Sequence, residues 1–231
     1  DWERLQNALK EQHGVEGLTI DYPVLTQLQK SVRAGEWKVT VFVWHGREVI
    51  RVTPGFAEYA LGLAVDVGTT TVAGFLCDLD SGQVLASESM MNPQTPYGDD
   101  VMARITYAMT HPDGLEKMHA AIIEGLNTIV ARTCEKSGYQ PEDIAEAVLV
   151  GNTCMDHIFL NIFPKYVGVS PFAPAMHHSV DVKARDFGLK ILPTGNVHVL
   201  PNEAGFVGAD NVACVIAEDD LPGIRDLARA Q

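Results

Sequence analysis

The stretch LGLAVDVGTTTVAGFLCDL, from Leu61 to Leu79, limits the fold more than any other part of the chain. An apolar run reaches one carboxylate, Asp66. It then breaks at Gly68, gives three threonines in a row and turns apolar again. Two short Val- and Leu-rich runs around a glycine read as adjacent core strands joined by a tight turn. A third run, QVLASESMM, follows the turn residues Asp80-Ser81-Gly82. The helical runs that come next have inner faces predicted at Val101, Met102, Ile105, Ala108 and Met109, then at Leu115, Met118, Ile122, Leu126 and Ile129. His111-Pro112-Asp113-Gly114 separates them. AEAVLVG is a fourth strand leading into a helix with Met155, Ile158 and Phe159, and VHVLP is a fifth. Residues 164–195 read as proline-rich and irregular, and GFVGADNVACVIA as a last helix.

The order from residue 61 is therefore β-β-β-α-β-α-β-α, an α/β lobe with a mixed sheet. Its first three strands are predicted antiparallel. Residues 1–58 read as a separate small α+β domain, so the chain is α+β overall. That domain has two short helices, a strand at LTID, and a hairpin from Val39 to Val52 turning at His45-Gly46-Arg47. The proposed boundaries are 1–58 and 59–231.

With 17 Lys plus Arg against 30 Asp plus Glu, the net charge is -13. That balance argues against a sequence-independent grip on nucleic acid or on anionic lipid. A nucleotide is compatible with it, because its phosphates need only a local pocket of N–H groups and a cation. No apolar run approaches the ~18 residues of a membrane span. Cys77, Cys134, Cys154 and Cys214 are scattered without a C-x-x-C pair, as expected for buried thiols in a reducing compartment, the cytoplasm. The first ten residues lack a signal peptide's apolar stretch and an initiator Met. The last nine, GIRDLARAQ, follow a helical pattern, and both ends read as cuts in a longer protein.

Four places invite chemistry. At Asp66–Thr71 the strand turn offers backbone N–H groups and the hydroxyls of Thr69, Thr70 and Thr71 to an anion. Gly68 permits close approach or an unusual φ. Asp66 would be costly at the end of a buried strand without a cation or donors, and hydrated Mg²⁺ beside a phosphate suits it. A hairpin tip whose Asp66 accepts turn N–H bonds is the competing reading. Asp99-Asp100 opens a helix; one carboxylate either caps it or orients water, with Asp100 ahead, and Arg104 one turn on is placed to pair with Asp100. Gly151-Asn152-Thr153 lies at a strand's carboxyl end, a place for ligands or simply a cap. In EAGFVGAD two glycines at a helix start serve close packing or the close approach of a ligand, packing ahead, and Glu203 and Asp210 are candidates to face the cleft. His157 reads as a packed or surface histidine, and His177-His178 as a solvated loop.

Taken together and in order, LGLAVDVGTTTVAGFLCDLDSGQVL, NPQTPYGDDVMARI, VLVGNTCMDHIFL, PFAP and VLPNEAGFVGADNVA resemble the reductive activators of corrinoid proteins. These are ATP-dependent iron–sulfur members of the actin, chaperone and sugar-kinase ATPase superfamily. The resemblance implies that residues 59–231 are the RNase H-like N-terminal lobe of a two-lobed ATPase and that 1–58 are a middle domain. It also implies ATP and Mg²⁺ as ligands: Asp66 holds the metal, Gly68–Thr71 with Gly151, Asn152 and Thr153 hold the nucleotide, and Asp100 serves the attacking water. A [2Fe–2S] cluster and a second phosphate motif are implied for the full-length protein only, so the fragment alone is expected to be inactive and to bind ATP weakly. The partner implied is a corrinoid iron–sulfur protein or a corrinoid-binding methyl-transfer protein, and the product is Co(I). A homodimer through the Val39–Val52 hairpin is a further expectation. The alternatives are a small-molecule kinase of the superfamily, a nucleotide-dependent scaffold, and an activator of a radical dehydratase.

Overall fold

Residues 1–217 are described by the computed structural model; the terminal GIRDLARAQ lies outside the described residues. The first unit has its own core. Helix α1 (Trp2–His13) stops where Gly14 turns left-handed at φ 68°, and α2 (Tyr22–Ala34) starts on Pro23. Their buried stripes, Leu5 and then Val24, Leu28 and Val32, pack on a three-stranded sheet. In that sheet β1 (Thr19–Ile20) runs parallel to β3 (Glu48–Pro54), and β2 (Val39–Trp44) runs antiparallel to it. The hairpin turns at His45 and Gly46, both at positive φ (46° and 65°), as a two-residue turn matched to strand twist requires.

The second unit is a six-stranded sheet in the order β6-β5-β4-β7-β9-β8. Its strands are β4 (Leu61–Val67), β5 (Thr71–Asp78), β6 (Val84–Met91), β7 (Ile144–Gly151), β8 (Val180–Lys183) and β9 (Asn196–Val199). The antiparallel run β4, β5, β6 and the parallel set β4, β7, β9 make the mixed sheet expected. Alternation along β4 buries Leu61, Leu63, Val65 and Val67 and leaves Ala64 and Asp66 on the opposite, open face. Met118, Ile122, Leu126 and Ile129 of α4 (Gly114–Ser137) lie on the buried face. Gly74 of β5 allows that approach, since a Cβ there would sit 2.4 Å from Ile129 Cγ2. Also present are α3 (Val101–Thr110), α5 (Thr153–Phe159), α6 (Lys165–Gly168), α7 (Ala184–Phe187) and α8 (Ala209–Ala217). Helix α8 borders the open face beside Asp66.

Several expectations need correction. Residues 164–195 are not wholly irregular: they contain α6, α7 and β8, which pairs antiparallel with β9. Four residues, VDVK, carry too little alternation to declare a strand, and the pairing with β9 creates it. EAGFVG is loop rather than helix start, for α8 begins at Ala209. Met102 and Met109 are exposed, and Arg104 takes the inner face of α3 with Ile105 and Ala108.

The two units are clamped together. Asp21 is buried and meets Arg185 at 2.8 Å and Lys183 at 3.3 Å; Lys183 also reaches Glu48. Arg51 donates to the Glu142 carbonyl, Thr194 to the Ile50 carbonyl, and the Trp44 indole to Glu146. The hairpin suggested for a second copy is thus engaged on one side by α1 and α2 and on the other by the lobe. Replacing Asp21 with asparagine leaves Arg185 and Lys183 short of a carboxylate at this seam. The expected loss is about 2 kcal/mol, read as a lower urea midpoint at unchanged slope.

Candidate functional site

The site forms where β4 ends, β5 begins and β7 ends alongside. The backbone turns over Gly68, Thr69 and Thr70. Gly68 is needed for closeness and not for φ, which lies outside the left-handed region: a Cβ there would stand 2.7 Å from the Thr71 carbonyl oxygen. The turn's carbonyls are held from within. Asn92, fully buried, donates from Nδ2 to the Gly68 carbonyl at 2.7 Å. Arg104, also fully buried, donates from Nη2 to the Thr69 carbonyl. In a planar trans peptide the C=O and the following N–H point in opposite directions. With both carbonyls drawn inward, the N–H groups of Thr69 and Thr70 face outward, and neither meets a protein acceptor among the described residues. Two outward N–H groups in succession are the arrangement from which an anion-binding concavity can be built. The exposed side chains of Thr70 and Thr71 add hydroxyls beside it.

Asn152 joins this turn to β7. Its Oδ1 accepts from the Cys154 and Met155 N–H groups as the cap of α5, and its Nδ2 donates to Thr69 Oγ1 at 3.0 Å. Of the alternatives weighed for Asn152, the cap is present, and the same side chain also holds the Thr69 hydroxyl. Gly151 and Thr153 are buried, and the Thr153 hydroxyl is spent on the Ala204 carbonyl at 2.6 Å. Gly208 lies across them so closely that a Cβ would come within 2.4 Å of Thr153 N. Only Asn152 of the three reaches the turn.

Asp66 is open to solvent yet recessed. Burial raises its pKa first and the neighbouring charge of Asp210 second. Asp210, in the first turn of α8, thus faces the site, whereas Glu203 is exposed in the loop before it. Asp100 caps α3, its Oδ1 accepting from Ala103 N–H at 2.7 Å. The ion pair expected between Asp100 and Arg104 is absent, because the guanidinium points inward. His157 is packed: Nδ1 donates to the Thr153 carbonyl and Nε2 accepts from Ala175 N–H, and burial lowers its pKa. His177 and His178 are exposed, with His177 touching the Asn202 carbonyl.

Sequence reasoning passed over Asp156. It is fully buried on α5, and neither oxygen makes a hydrogen bond of good geometry. Burial and the charge of Asp210 push its pKa up to about 8, opposed by the nearby Asn202 side chain and Ala209 N–H. Its place on a helix with no exposed face was the available signal. No group of three or more His, Cys, Asp or Glu among the described residues is placed to hold a metal ion. A cation at Asp66 would therefore draw its remaining ligands from phosphate and water, the usual habit of Mg²⁺. Cys134 and Cys154 are buried, Cys77 is half-buried, Cys214 is exposed, and all four are free thiols. No helix among the described residues is long and apolar enough to cross a membrane.

A family model described as the RACo middle region matches residues 61–219, and one described as the RACo linker region matches residues 1–59. The chain belongs to the RACo family. The boundary between the two RACo models falls where the first sheet gives way to the second. A curated RACo relative, the corrinoid activation enzyme RamQ of Eubacterium limosum, is 36% identical over 200 residues, covering 86% of this chain and 34% of RamQ. A solved structure named as a reductive activator for corrinoid, iron-sulfur protein superposes with a TM-score of 0.85 at 35% identity. It covers 93% of this chain and 35% of its own. The chain thus spans about a third of the length of both relatives. The mixed sheet of this chain, together with the match to the solved activator, agrees with the fold class expected from the sequence.

Proposed function

We propose that this chain is one wall of the nucleotide cleft in an ATP-dependent activator that returns a corrinoid protein from Co(II) to Co(I). Residues from 59 onward would be the first of two ATPase lobes, with residues 1–58 as a small domain clamped to it. The observation that carries this reading is the pair of inward-held carbonyls at Gly68 and Thr69, which turn two N–H groups toward an incoming anion. Membership in the RACo family and the printed names of RamQ and of the solved activator support the corrinoid as the partner.

In this reading the Thr69 and Thr70 N–H groups and the Thr70 and Thr71 hydroxyls take phosphate oxygens, and Asn152 fixes the Thr69 hydroxyl. Asp66 holds hydrated Mg²⁺, which supplies charge neutralisation at the phosphates. Asp100 has one oxygen on Ala103 N–H and a second free to orient water. The single electron that converts Co(II) to Co(I) would come from an iron–sulfur domain elsewhere in the full-length protein. ATP would favour the transfer only through different affinities for the open and closed states of the cleft. The test is a full-length protein carrying this chain, mixed with its Co(II) corrinoid partner and a reductant, and followed by the cobalt absorption spectrum. Co(I) should accumulate with Mg-ATP and not without it. ATP-independent reduction, or transfer of the terminal phosphate to a small molecule, would overturn the assignment.

A further inference from the structure

Arg104 is the most unusual charge in the molecule. It has no solvent exposure, and among the described residues no carboxylate lies within ion-pair distance of it. Its guanidinium is satisfied by dipoles alone: Nε donates to the Gly98 carbonyl at 3.0 Å, Nη1 to Gln94 Oε1 at 3.1 Å, and Nη2 to the Thr69 carbonyl, with Met155 Sδ 3.0 Å from Nη1. Gln94 is itself fully buried and anchored, donating to the Met118 carbonyl and accepting no second cation. An arginine keeps its proton even here, although burial lowers its pKa. A buried charge without a counter-ion is costly and is expected to have one in some state of the protein. The charges of Asp100 and Asp99 oppose that lowering from a distance without pairing with the guanidinium, and the outer side of the Thr69–Thr70 peptide, whose carbonyl the guanidinium already holds, is a further place for a negative charge.

The geometry points to Arg104 as the positioning residue of the phosphate turn. It holds the Thr69 carbonyl inward so that the Thr70 N–H faces the anion, and it supplies the buried positive charge that the anion balances. This rests on the reading of Gly68–Thr71 as a phosphate grip. It adds a specific expectation: affinity at this turn should rise with the charge of the phosphate chain, and Arg104 should control that dependence without touching the ligand. Arg104 would also tie the turn to α3, which carries it, and to α5 through Met155.

The test is amide NMR on the 231-residue chain, which registers weak binding, with adenosine, ADP and ATP titrated in the presence of Mg²⁺. In the unaltered chain, ATP should shift the Thr69 and Thr70 amides more tightly than ADP does, and adenosine should leave them in place. Arg104→Met should weaken ATP about tenfold and erase the difference between ATP and ADP. It should also move the Thr70 amide before any ligand is added. Arg104→Lys keeps the charge but cannot serve three acceptors in a plane, so it should restore part of the ATP affinity while the Thr70 amide stays displaced. If the methionine variant does not fold, the lysine variant decides alone. ATP that leaves Thr69 and Thr70 unmoved in the unaltered chain would remove the phosphate reading and this role with it. ATP that binds there equally well in the folded Arg104 variants, with the Thr70 amide in place, would overturn the role of Arg104 and leave the phosphate reading standing.

Discussion

Replacing Asp66 with alanine in a full-length protein carrying this chain is expected to lower ATP hydrolysis and corrinoid reduction roughly 100-fold or more. The stability of the fold should hardly change. The Asp66 side chain makes no hydrogen bond among the described residues, lies on the open face of the sheet, and is repelled by Asp210. Loss of activity would therefore report on the cation and not on unfolding. The raised pKa of Asp66 adds a second signature: a cation bound there pulls that pKa down, so Mg-ATP binding should release a proton over the pH range in which the free carboxylate titrates. Asp66→Asn keeps the shape and removes the charge, and it should fail as badly as alanine. Turnover within a few-fold of the parent in both variants would remove Asp66 from the mechanism.

The second large effect concerns stability. Asp156 is buried with a pKa of about 8, against 3.8 for an ordinary aspartate. Between those values the folded protein keeps a proton that the unfolded chain gives up. Unfolding therefore releases that proton, and stability falls as pH rises from about 4 toward 8. Above the folded value both states are ionised and the penalty stays constant. Asp156→Asn has no ionisation to suppress, and it fits the same space beside Asn202. Its stability relative to the parent should grow by about 2–4 kcal/mol between pH 5 and pH 8, measured by urea unfolding at each pH. Parallel pH profiles for the two proteins would show that Asp156 does not carry this proton.

Much of this molecule was legible from spacing alone. The strand pair around DVGTTT, the helix stop at Gly138 and the burial of Met118, Ile122, Leu126 and Ile129 all follow from alternation, helical period and turn chemistry. Arg104 was half legible. It shares the inner stripe of α3 with Ile105 and Ala108, but a charge on that stripe invites an ion pair with Asp100, and the observed partners lie in other segments. Strand β8 and the role of Asn92 were not legible. Both depend on a partner that the local sequence does not name, β9 for the one and the Gly68 carbonyl for the other.

The sequence by itself determined the strand, turn and strand that carry Asp66 and the threonines, because those choices are made between residues a few positions apart. The tertiary structure alone decided what the turn offers a ligand. Its carbonyls are held by Asn92 and Arg104, its Thr69 hydroxyl by Asn152, and its flank by Gly208, from segments distant in the chain. The direction of a peptide's N–H is set by whatever holds its carbonyl. Here those holders arrive only when α3, β7 and the loop before α8 pack around the turn.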